Sequence, residues 1–314
     1  MSLLSIIVPS YNEEKMVLEA SNTIREILDD QSIKFEIIFV DDGSIDTTWQ
    51  QIELASTECS SVRGIRFSRN FGKEAAIIAG LTEAKGDCCV VIDCDLQHPP
   101  EKIVEMYHLW EEGYEVIEGY KINRGKEGVL HKFSVKMFYN IICSVTGFDM
   151  ANSSDFKLLD RKAVNVLINL REKNAFFRAL SSWVGFKSTM VNFEVKNRTA
   201  GESKWSTVSL IKYAVRNITS FSTFPMQIVS FLGIIMMIIS VVLGVVSIWQ
   251  KITGAALGGF TTIIILQLFS SSIIMLSVGI IGYYISRIFE EVKNRPLYII
   301  SKKAGRESKH EKDT

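Results

Sequence analysis

Short apolar runs alternate with amphipathic stretches along the first part of the chain. Runs of strand length lie at Leu4–Val8, Phe35–Val40, Val62–Phe67, Cys88–Ile92 and Glu115–Gly119. The stretches that separate the first four runs carry apolar residues at helical spacing. Strands that alternate with helices in this way predict an α/β fold, with a mainly parallel sheet covered by helices on both faces.

The pattern changes after residue 205, where charged residues become rare. Ser209–Phe224 mixes apolar residues with Lys212 and Arg216, which is typical of a helix lying in a membrane interface. Gln227–Ile248 and Thr262–Ser286 are apolar and uncharged. As a helix, the first of these would be roughly 33 Å long, enough to span a bilayer. The alternative is a buried hairpin of a soluble protein, which the length and lack of charge disfavour.

Charge placement gives these spans an orientation. Both outer flanks are basic, whereas the loop between the spans carries only Lys251. The positive-inside rule therefore puts both termini in the cytoplasm, and the N-terminus lacks the basic region of a signal peptide. We predict four segments: a cytoplasmic domain over residues 1–205, an interfacial helix over 206–225, a two-helix transmembrane domain over 226–286 and a basic cytoplasmic tail over 287–314.

Composition excludes several classes of protein. The 314 residues include 35 basic and 35 acidic side chains, so no overall field favours nucleic acid. The five cysteines form an odd set without metal-ligand spacing, which indicates a reducing compartment and no zinc site. His98 and His131 are interpreted as surface or loop residues. Neither a dinucleotide-binding glycine motif nor a P-loop motif is present in the sequence.

Three polar clusters follow strands of the predicted sheet: Pro9–Glu13, Asp41–Ser44 and Asp93–Gln97. Ligands of parallel sheets bind beyond the carboxyl ends of the strands, so these clusters predict a nucleotide site. Asp93 and Asp95 alternate at a strand end and can present oxygens to one hard cation, Mg²⁺ or Mn²⁺, that bridges to a diphosphate. The alternative is a strand-to-loop turn with two ordinary aspartates.

Two further features lie downstream. A basic loop, Lys121–Lys136, includes Arg124 and Lys132. It is either a solvated face or a site that captures an anionic head group at the membrane surface. Asp155 enters an apolar run and Asp160 caps the following helix; the first of these carboxylates is either a turn residue or a functional group.

The motifs in order resemble the polyprenyl-phosphate hexosyltransferases of glycosyltransferase family 2, in particular the bactoprenol branch. The residues that carry this resemblance span nearly the whole chain: Ile6–Glu14, Val40–Ser44, Arg69–Glu74, Asp93–Pro99, Arg198 to Lys204, Ser220–Pro225 and Glu291–Pro296. The chain departs from the family at Ser154–Lys157, where Gly-Asp-Phe-Arg is common. Lysine is a point charge without the bidentate fork of arginine, so Lys157 is not assumed to replace that arginine in full.

The resemblance implies a GT-A fold and a set of site residues. A nucleotide-sugar would contact Pro9, Tyr11, Glu13, Asp41, Asp42, Lys73, Asp93 and Gln97. A metal ion would bind Asp93 and Asp95, and Asp155 would be the catalytic carboxylate. The donor phosphates and the lipid phosphate would contact Arg124, Lys132, Arg198, Ser203 and Lys204.

The expected reaction is metal-dependent, inverting transfer of glucose from a UDP-sugar to undecaprenyl phosphate at the cytoplasmic face of the cell (inner) membrane, for modification of cell-surface glycans. UDP-N-acetylglucosamine and GDP-mannose remain alternative donors. A processive polysaccharide synthase is disfavoured because two spans are few for a channel and Q-x-x-R-W is absent. A non-catalytic scaffold or flippase subunit would not need these carboxylates. Small residues on the spans, such as Gly233, Gly244 and Gly279, leave a homo-oligomer open.

Overall fold

The computed structural model describes residues 2–121, 153–170, 177–178, 181, 184–194, 224–253, 259–293 and 295–305. The chain divides into two compact units. One consists of Met1–Lys204 together with Arg295–Thr314, and the other of Trp205–Asn294. The four predicted segments, residues 1–205, 206–225, 226–286 and 287–314, remain predictions.

The first unit begins with alternating strands and helices. In chain order these are β1 (Leu3–Ser10), α1 (Val17–Asp30), β2 (Lys34–Asp41), α2 (Thr48–Glu58), β3 (Val62–Phe67), α3 (Lys73–Glu83), β4 (Cys88–Val91), α4 (Lys102–Glu111) and β5 (Val116–Lys121). Later elements of the same unit are β6 (Ser153–Asp160), α5 (Arg161–Asn169), β7 (Ser188–Phe193) and β8 (Ile300–Ala304). All five predicted strands of this region form.

The eight described strands form one sheet in the order β7-β5-β6-β4-β1-β2-β3-β8. The four central strands, β4, β1, β2 and β3, run parallel to one another. Strand β6 is antiparallel to both β4 and β5, and β8 is antiparallel to β3. The predicted α/β class with flanking helices is confirmed, with a sheet that is parallel at its centre and mixed toward its edges.

Burial on both faces explains the continuous apolar runs of the central strands. Every residue from Leu4 to Val8 is buried, as are the four residues of β4. A parallel sheet covered on both sides requires apolar side chains at successive positions rather than in alternation. Helix α3 packs so closely on this layer that a side chain at Gly80 would collide with Ile7. This packing on both faces therefore fixes the positions of the carboxyl ends of β1 and β4.

The sequence interpretation missed two strands. For β6 the sequence pattern indicates only an apolar run containing Asp155, and it does not predict the position of this strand between β4 and β5. β8 falls within residues 287–314, which were predicted as a tail. Lys302 and Lys303 gave this segment a solvated character, and both are exposed in a strand at the edge of the sheet. Exposed lysines are common on edge strands because they discourage pairing with other chains.

The second unit contains two long helices, α6 (Phe224–Ile252) and α7 (Phe260–Val292). The apolar stretches Phe231–Gln250 and Leu266–Ser286 are long enough to cross a membrane, and none of their described side chains is buried. Both predicted spans thus form helices of the required length and composition. The predicted interfacial helix lies almost entirely outside the described residues.

Candidate functional site

The carboxyl ends of three central strands bring the predicted polar clusters together. Ser10 of β1 pairs with Asp41 of β2, and Ile7 of β1 pairs with Val91 of β4. The chain leads from β1 to β2 on one side and later crosses to β4 on the other side of β1. In a parallel sheet, such a change of direction leaves a crevice beyond the carboxyl ends of the strands. A cleft of about 320 Å³ occupies it. That volume lies within the range of small-molecule sites, roughly 300–1,000 Å³.

Seven of the residues predicted to bind donor or metal line this cleft. They are Pro9, Tyr11, Glu13, Asp42, Lys73, Asp93 and Asp95. Asp41 and Gln97 are not among its lining residues, which otherwise are small or uncharged. The cleft therefore gathers residues from four separate stretches of sequence, although which of them contact a ligand remains a prediction.

Asp41 supports the site from within the fold. Its carboxylate is fully buried, where Oδ1 accepts a hydrogen bond from the Ser44 amide at 2.8 Å and Oδ2 lies 3.2 Å from Arg66 Nε. The Ser44 hydroxyl in turn accepts a hydrogen bond from the Asn12 amide at 2.9 Å. Asp41 thus ties the β2 turn to the β1 turn, a structural use that the sequence alone did not indicate.

Asp42 holds the loop that precedes α3. Its two carboxylate oxygens accept hydrogen bonds from the amides of Phe71 at 2.6 Å and Gly72 at 2.9 Å. Burial raises the pKa of Asp42, and these amides partly oppose that effect. The adjacent Gly43 has φ +70°, and a side chain there would collide with the backbone of Arg69. Asp42 and Gly43 together place the start of α3, and so Lys73, over the cleft.

Lys73 joins the two carboxylates predicted to be functional. Its ammonium lies 2.5 Å from Asp93 Oδ1 and 2.9 Å from Asp155 Oδ2. The strand pairing explains this convergence: β6 runs antiparallel to β4 with Lys157 opposite Val91, so Asp155 falls beside the residues that follow β4. The site therefore unites Asp93 and Asp155, 62 positions apart in the sequence.

Asp155 has a second cationic partner that the sequence interpretation missed. Both Nε and Nη2 of Arg178 donate hydrogen bonds to its Oδ1, at 3.1 and 3.0 Å. Burial alone would raise the pKa of Asp155, but the charges of Lys73 and Arg178 outweigh burial and hold this pKa well below its usual range. Asp155 is consequently a stable carboxylate at neutral pH.

A protonatable carboxyl lies next to this group. Glu74, in the first turn of α3, accepts a hydrogen bond from the Phe177 amide at 2.9 Å. Burial raises the pKa of Glu74 to about 7, and the negative charge of Asp155 contributes to the rise. The two neighbouring carboxyls thus have pKa values pushed in opposite directions. Glu74 falls inside the Arg69–Glu74 motif, but no role was predicted for it.

The donor set at Asp93 and Asp95 fits a cation that is completed by substrate. Asp95 Oδ1 accepts a hydrogen bond from the Gln97 amide at 3.1 Å, which orients its carboxylate. Among the described residues, no group of three His, Cys, Asp or Glu side chains is arranged to hold a metal ion. Mg²⁺ characteristically binds one or two carboxylates together with phosphate oxygens and water. The two aspartates therefore suit a metal–diphosphate complex rather than an all-protein metal site.

His98 lies in a loop, as expected, but its ring is largely enclosed. It stacks on Phe156 and contacts the edge of Phe193, with ring centroids 5.3 and 5.2 Å away. Its Nδ1 lies 3.8 Å from Asp93 Oδ2. Burial lowers the pKa of His98, so the neutral imidazole is favoured beside Asp93.

The Lys157 side chain forms its hydrogen bonds inside the protein. Its ammonium is fully buried and lies 2.9 Å from Glu118 Oε1, 2.8 Å from Ser181 Oγ and 3.1 Å from the Arg178 carbonyl oxygen. Burial lowers its pKa, and Glu118 opposes that effect. Lys157, where the family commonly has arginine, therefore forms contacts inside the protein and is not among the residues that line the cleft.

Some of the predicted site residues are not among the residues that the structure describes. Five candidates for binding phosphate lie outside the described residues: Arg124, Lys132, Arg198, Ser203 and Lys204. The sequence pattern over Asn174–Val184 predicts an amphipathic helix; most of that stretch is also outside the described residues, although Phe177 and Arg178 are helical. Their assignments remain predictions.

The structure is thus of the α/β class: a mixed sheet with flanking helices and an acidic cleft at the carboxyl ends of its parallel strands. The comparisons specify it further: residues 5–177 match the glycosyl transferase family 2 model. The chain belongs to glycosyl transferase family 2 and is a glycosyltransferase.

Relatives match nearly the whole chain. A Bacillus subtilis (strain 168) protein, "Uncharacterized glycosyltransferase YkcC", is 40% identical over 97% of this chain and 95% of its own length. "Prophage bactoprenol glucosyl transferase homolog" of Escherichia coli (strain K12) is 34% identical, with 95% and 98% covered. "Bactoprenol glucosyl transferase" of Shigella phage SfV is 33% identical, with 95% and 97% covered.

Among solved structures, the glucosyl-3-phosphoglycerate synthase of Mycobacterium tuberculosis in complex with UDP is a remote neighbour. It is 18% identical, with 70% of this chain and 79% of that chain covered and a TM-score of 0.47.

Proposed function

We propose that this glycosyltransferase transfers glucose from UDP-glucose to a polyprenyl phosphate at the cytoplasmic face of the membrane, with a divalent cation. One observation carries the proposal: the strand-end aspartates Asp93 and Asp95 share a cleft with Lys73, whose ammonium bridges Asp93 and Asp155. The names of two relatives, bactoprenol glucosyl transferase and its homologue, support glucose and a polyprenyl acceptor.

The chemistry follows from charge at the two ends of the breaking bond. An oxygen of the acceptor phosphate attacks the anomeric carbon of glucose, and the bond from that carbon to the UDP oxygen breaks with both electrons leaving on UDP. Asp93 and Asp95 would hold the cation, which when bound supplies positive charge for the departing diphosphate. Lys73 lines the same cleft and can donate to a phosphate or sugar oxygen. Attack opposite to the leaving group inverts the anomeric centre.

The environment of Asp155 favours an orienting role over that of a general base. A carboxylate with a pKa far below neutrality is a weak proton acceptor. The acceptor supplies its own nucleophile, because a phosphate monoester has a second pKa near about 6 and is largely dianionic at neutral pH. We therefore assign Asp155 to orienting the acceptor or the donor sugar at the reacting centre, where Lys73 and Arg178 hold its carboxylate in place.

The two apolar helices fit a lipid acceptor. α6 and α7 each contain a stretch of about 20 residues or more that suits a bilayer. Basic residues flank the pair on the outer sides, which supports a cytoplasmic orientation of both termini. An enzyme held in the membrane meets its lipid substrate in two dimensions, and the effective concentration of that substrate rises accordingly.

The test uses the full chain purified in detergent. It is incubated with Mg²⁺ or Mn²⁺, a short polyprenyl phosphate and separate UDP-glucose, UDP-N-acetylglucosamine or GDP-mannose, and glycolipid is detected by mass spectrometry. The proposal expects product with UDP-glucose and its loss in Asp95→Asn, which keeps the size of the side chain but removes its charge. Product from another donor would reassign the sugar. No product from any donor would favour a non-catalytic scaffold.

A further inference from the structure

Lys157 occupies a fully enclosed ammonium site on β6, an inner strand of the sheet. Three acceptors surround it: a Glu118 carboxylate oxygen, the Ser181 hydroxyl and the Arg178 carbonyl oxygen, at 2.9, 2.8 and 3.1 Å. Three acceptors match the three N–H groups of an ammonium. Glu118 is the direct cross-strand neighbour of Lys157 in the β5–β6 pairing. The site is thus built from two strands and the segment that contains Arg178.

The same segment supplies the guanidinium that clamps Asp155. The carbonyl oxygen of Arg178 accepts a hydrogen bond from Lys157, and the guanidinium of Arg178 donates hydrogen bonds to Asp155 Oδ1. The Ser181 hydroxyl also donates to the Arg178 carbonyl oxygen at 3.2 Å, so Lys157 holds that carbonyl directly and through Ser181. Lys157 and Asp155 are two positions apart on β6 and so lie on one face of the strand. Side chains on one face of β6 therefore contact both the main chain and the guanidinium of Arg178.

We propose that Lys157 is a positioning residue for the transfer reaction: it fixes the main chain of Arg178 so that the Arg178 guanidinium holds Asp155 in its reactive orientation. The inference rests on the proposed function insofar as Asp155 belongs to the reacting centre. Lys157 does not line the cleft, so it acts without touching the donor. A lysine suffices where the family commonly has arginine, because three convergent acceptors need an ammonium and not a planar fork.

The competing explanation is a buried ion pair that only stabilises the sheet. The two explanations differ in what a variant loses. Loss of positioning lowers kcat and leaves donor binding intact, because only the orientation of Asp155 in the transition state changes. Loss of stability alone lowers the melting temperature and leaves kcat of the folded fraction unchanged.

The experiment compares two paired variants in the full chain. Lys157→Met with Glu118→Gln removes both charges and avoids an orphaned buried carboxylate, which would threaten folding. The matched control is Arg63→Met with Glu36→Gln, which removes a partly buried ion pair of 2.7 Å between β2 and β3. Ser181→Ala is a third variant, small enough to fold, that removes one acceptor from Lys157 and one donor to Arg178. Each is measured for kcat, KM for UDP-glucose and melting temperature.

We expect kcat of the Lys157 pair to fall about 100-fold, the scale on which a misplacement near 1 Å acts, with KM for UDP-glucose unchanged. Ser181→Ala should lose about 10-fold in kcat, as one hydrogen bond of about 1.4 kcal/mol would give. The control that combines Arg63→Met with Glu36→Gln should have a lower melting temperature, with kcat and KM unchanged. Wild-type kcat in folded Lys157 and Ser181 variants, or a loss confined to KM, would overturn the inference.

A structural readout separates this inference from the proposed function. If the wild-type chain makes no glycolipid, the proposed function fails. The positioning role is then decided by experimental structures of the wild type and the Lys157 pair. Displacement of the Arg178 guanidinium from Asp155 in the variant would support it, and retention of that contact would overturn it.

Discussion

The pKa of Glu74 gives a stability test of the electrostatics around Asp155. The perturbation is Glu74→Gln, which removes the ionisable group and keeps a carbonyl oxygen that can accept from the Phe177 amide. Burial, together with the charge of Asp155, raises the pKa of Glu74 from 4.5 to about 7. Lys73 and Arg178 lower this pKa but do not cancel the rise.

The sign follows from proton binding. Between pH 4.5 and 7 the folded chain keeps the proton on Glu74 while the unfolded chain loses it, so wild-type stability falls as pH rises through this range. One pKa unit corresponds to about 1.4 kcal/mol, and the full difference corresponds to about 3 kcal/mol. Glu74→Gln has no such cost. Relative to its stability at low pH, the variant should therefore gain about 3 kcal/mol over wild type by pH 8.

The assay is thermal unfolding of both proteins in detergent at half-unit steps from pH 4.5 to 8. A domain of about 200 residues shifts by roughly 2–4 °C per kcal/mol, so the melting-temperature difference should grow by several degrees across the range. Glu105→Gln is the matched control, because Glu105 is half exposed and should give no such trend. A difference that stays constant with pH, or that changes in the opposite direction, would refute the assignment of a buried, proton-binding carboxyl at Glu74.

Three other outcomes follow from the site. Gly43→Ala should lower the free energy of unfolding by more than about 2 kcal/mol, measured by urea denaturation, because φ is +70° and the new side chain would meet the Arg69 backbone. Asp42→Asn should raise KM for UDP-glucose while kcat changes little. The carboxylate has two charged oxygens that accept from the amides of Phe71 and Gly72, whereas asparagine has one neutral acceptor oxygen; an unchanged KM would contradict this. Removal of divalent cations with EDTA should abolish transfer, and added Mg²⁺ or Mn²⁺ should restore it; full activity in EDTA would exclude metal dependence.

The parts of the site that lie at strand ends were predictable from the sequence. Cys88–Ile92 is too short for a typical helix and is rich in β-branched residues, so Asp93 and Asp95 had to follow a buried strand. The carboxyl ends of neighbouring parallel strands meet at one edge, which brings Tyr11, Asp42 and Asp93 to one cleft. Local pattern and a general rule of sheet topology were sufficient there.

The partners of Asp155 were not predictable in this way. Arg178 lies 23 residues after Asp155 in a segment whose pattern indicated only an amphipathic helix. Its contact depends on β6 running antiparallel between β4 and β5, and no short-range signal encodes that order. β8 was missed for the same reason: it pairs with β3 across more than 230 residues of sequence. Its lysines resemble those of a solvated tail.

The charge of the cleft supplies the strongest physical reason for a cation. Among the described residues that line it, the carboxylates of Glu13, Asp42, Asp93 and Asp95 face a single cationic side chain, Lys73. Lys73 is already engaged by Asp93 and by Asp155 behind it. A nucleoside diphosphate entering this cleft would meet net negative charge, and like charges at close range are unfavourable. A divalent ion held by Asp93 and Asp95 would offset their two negative charges, and the Lys73 ammonium, with Asp93 occupied by the ion, would then be available to the diphosphate.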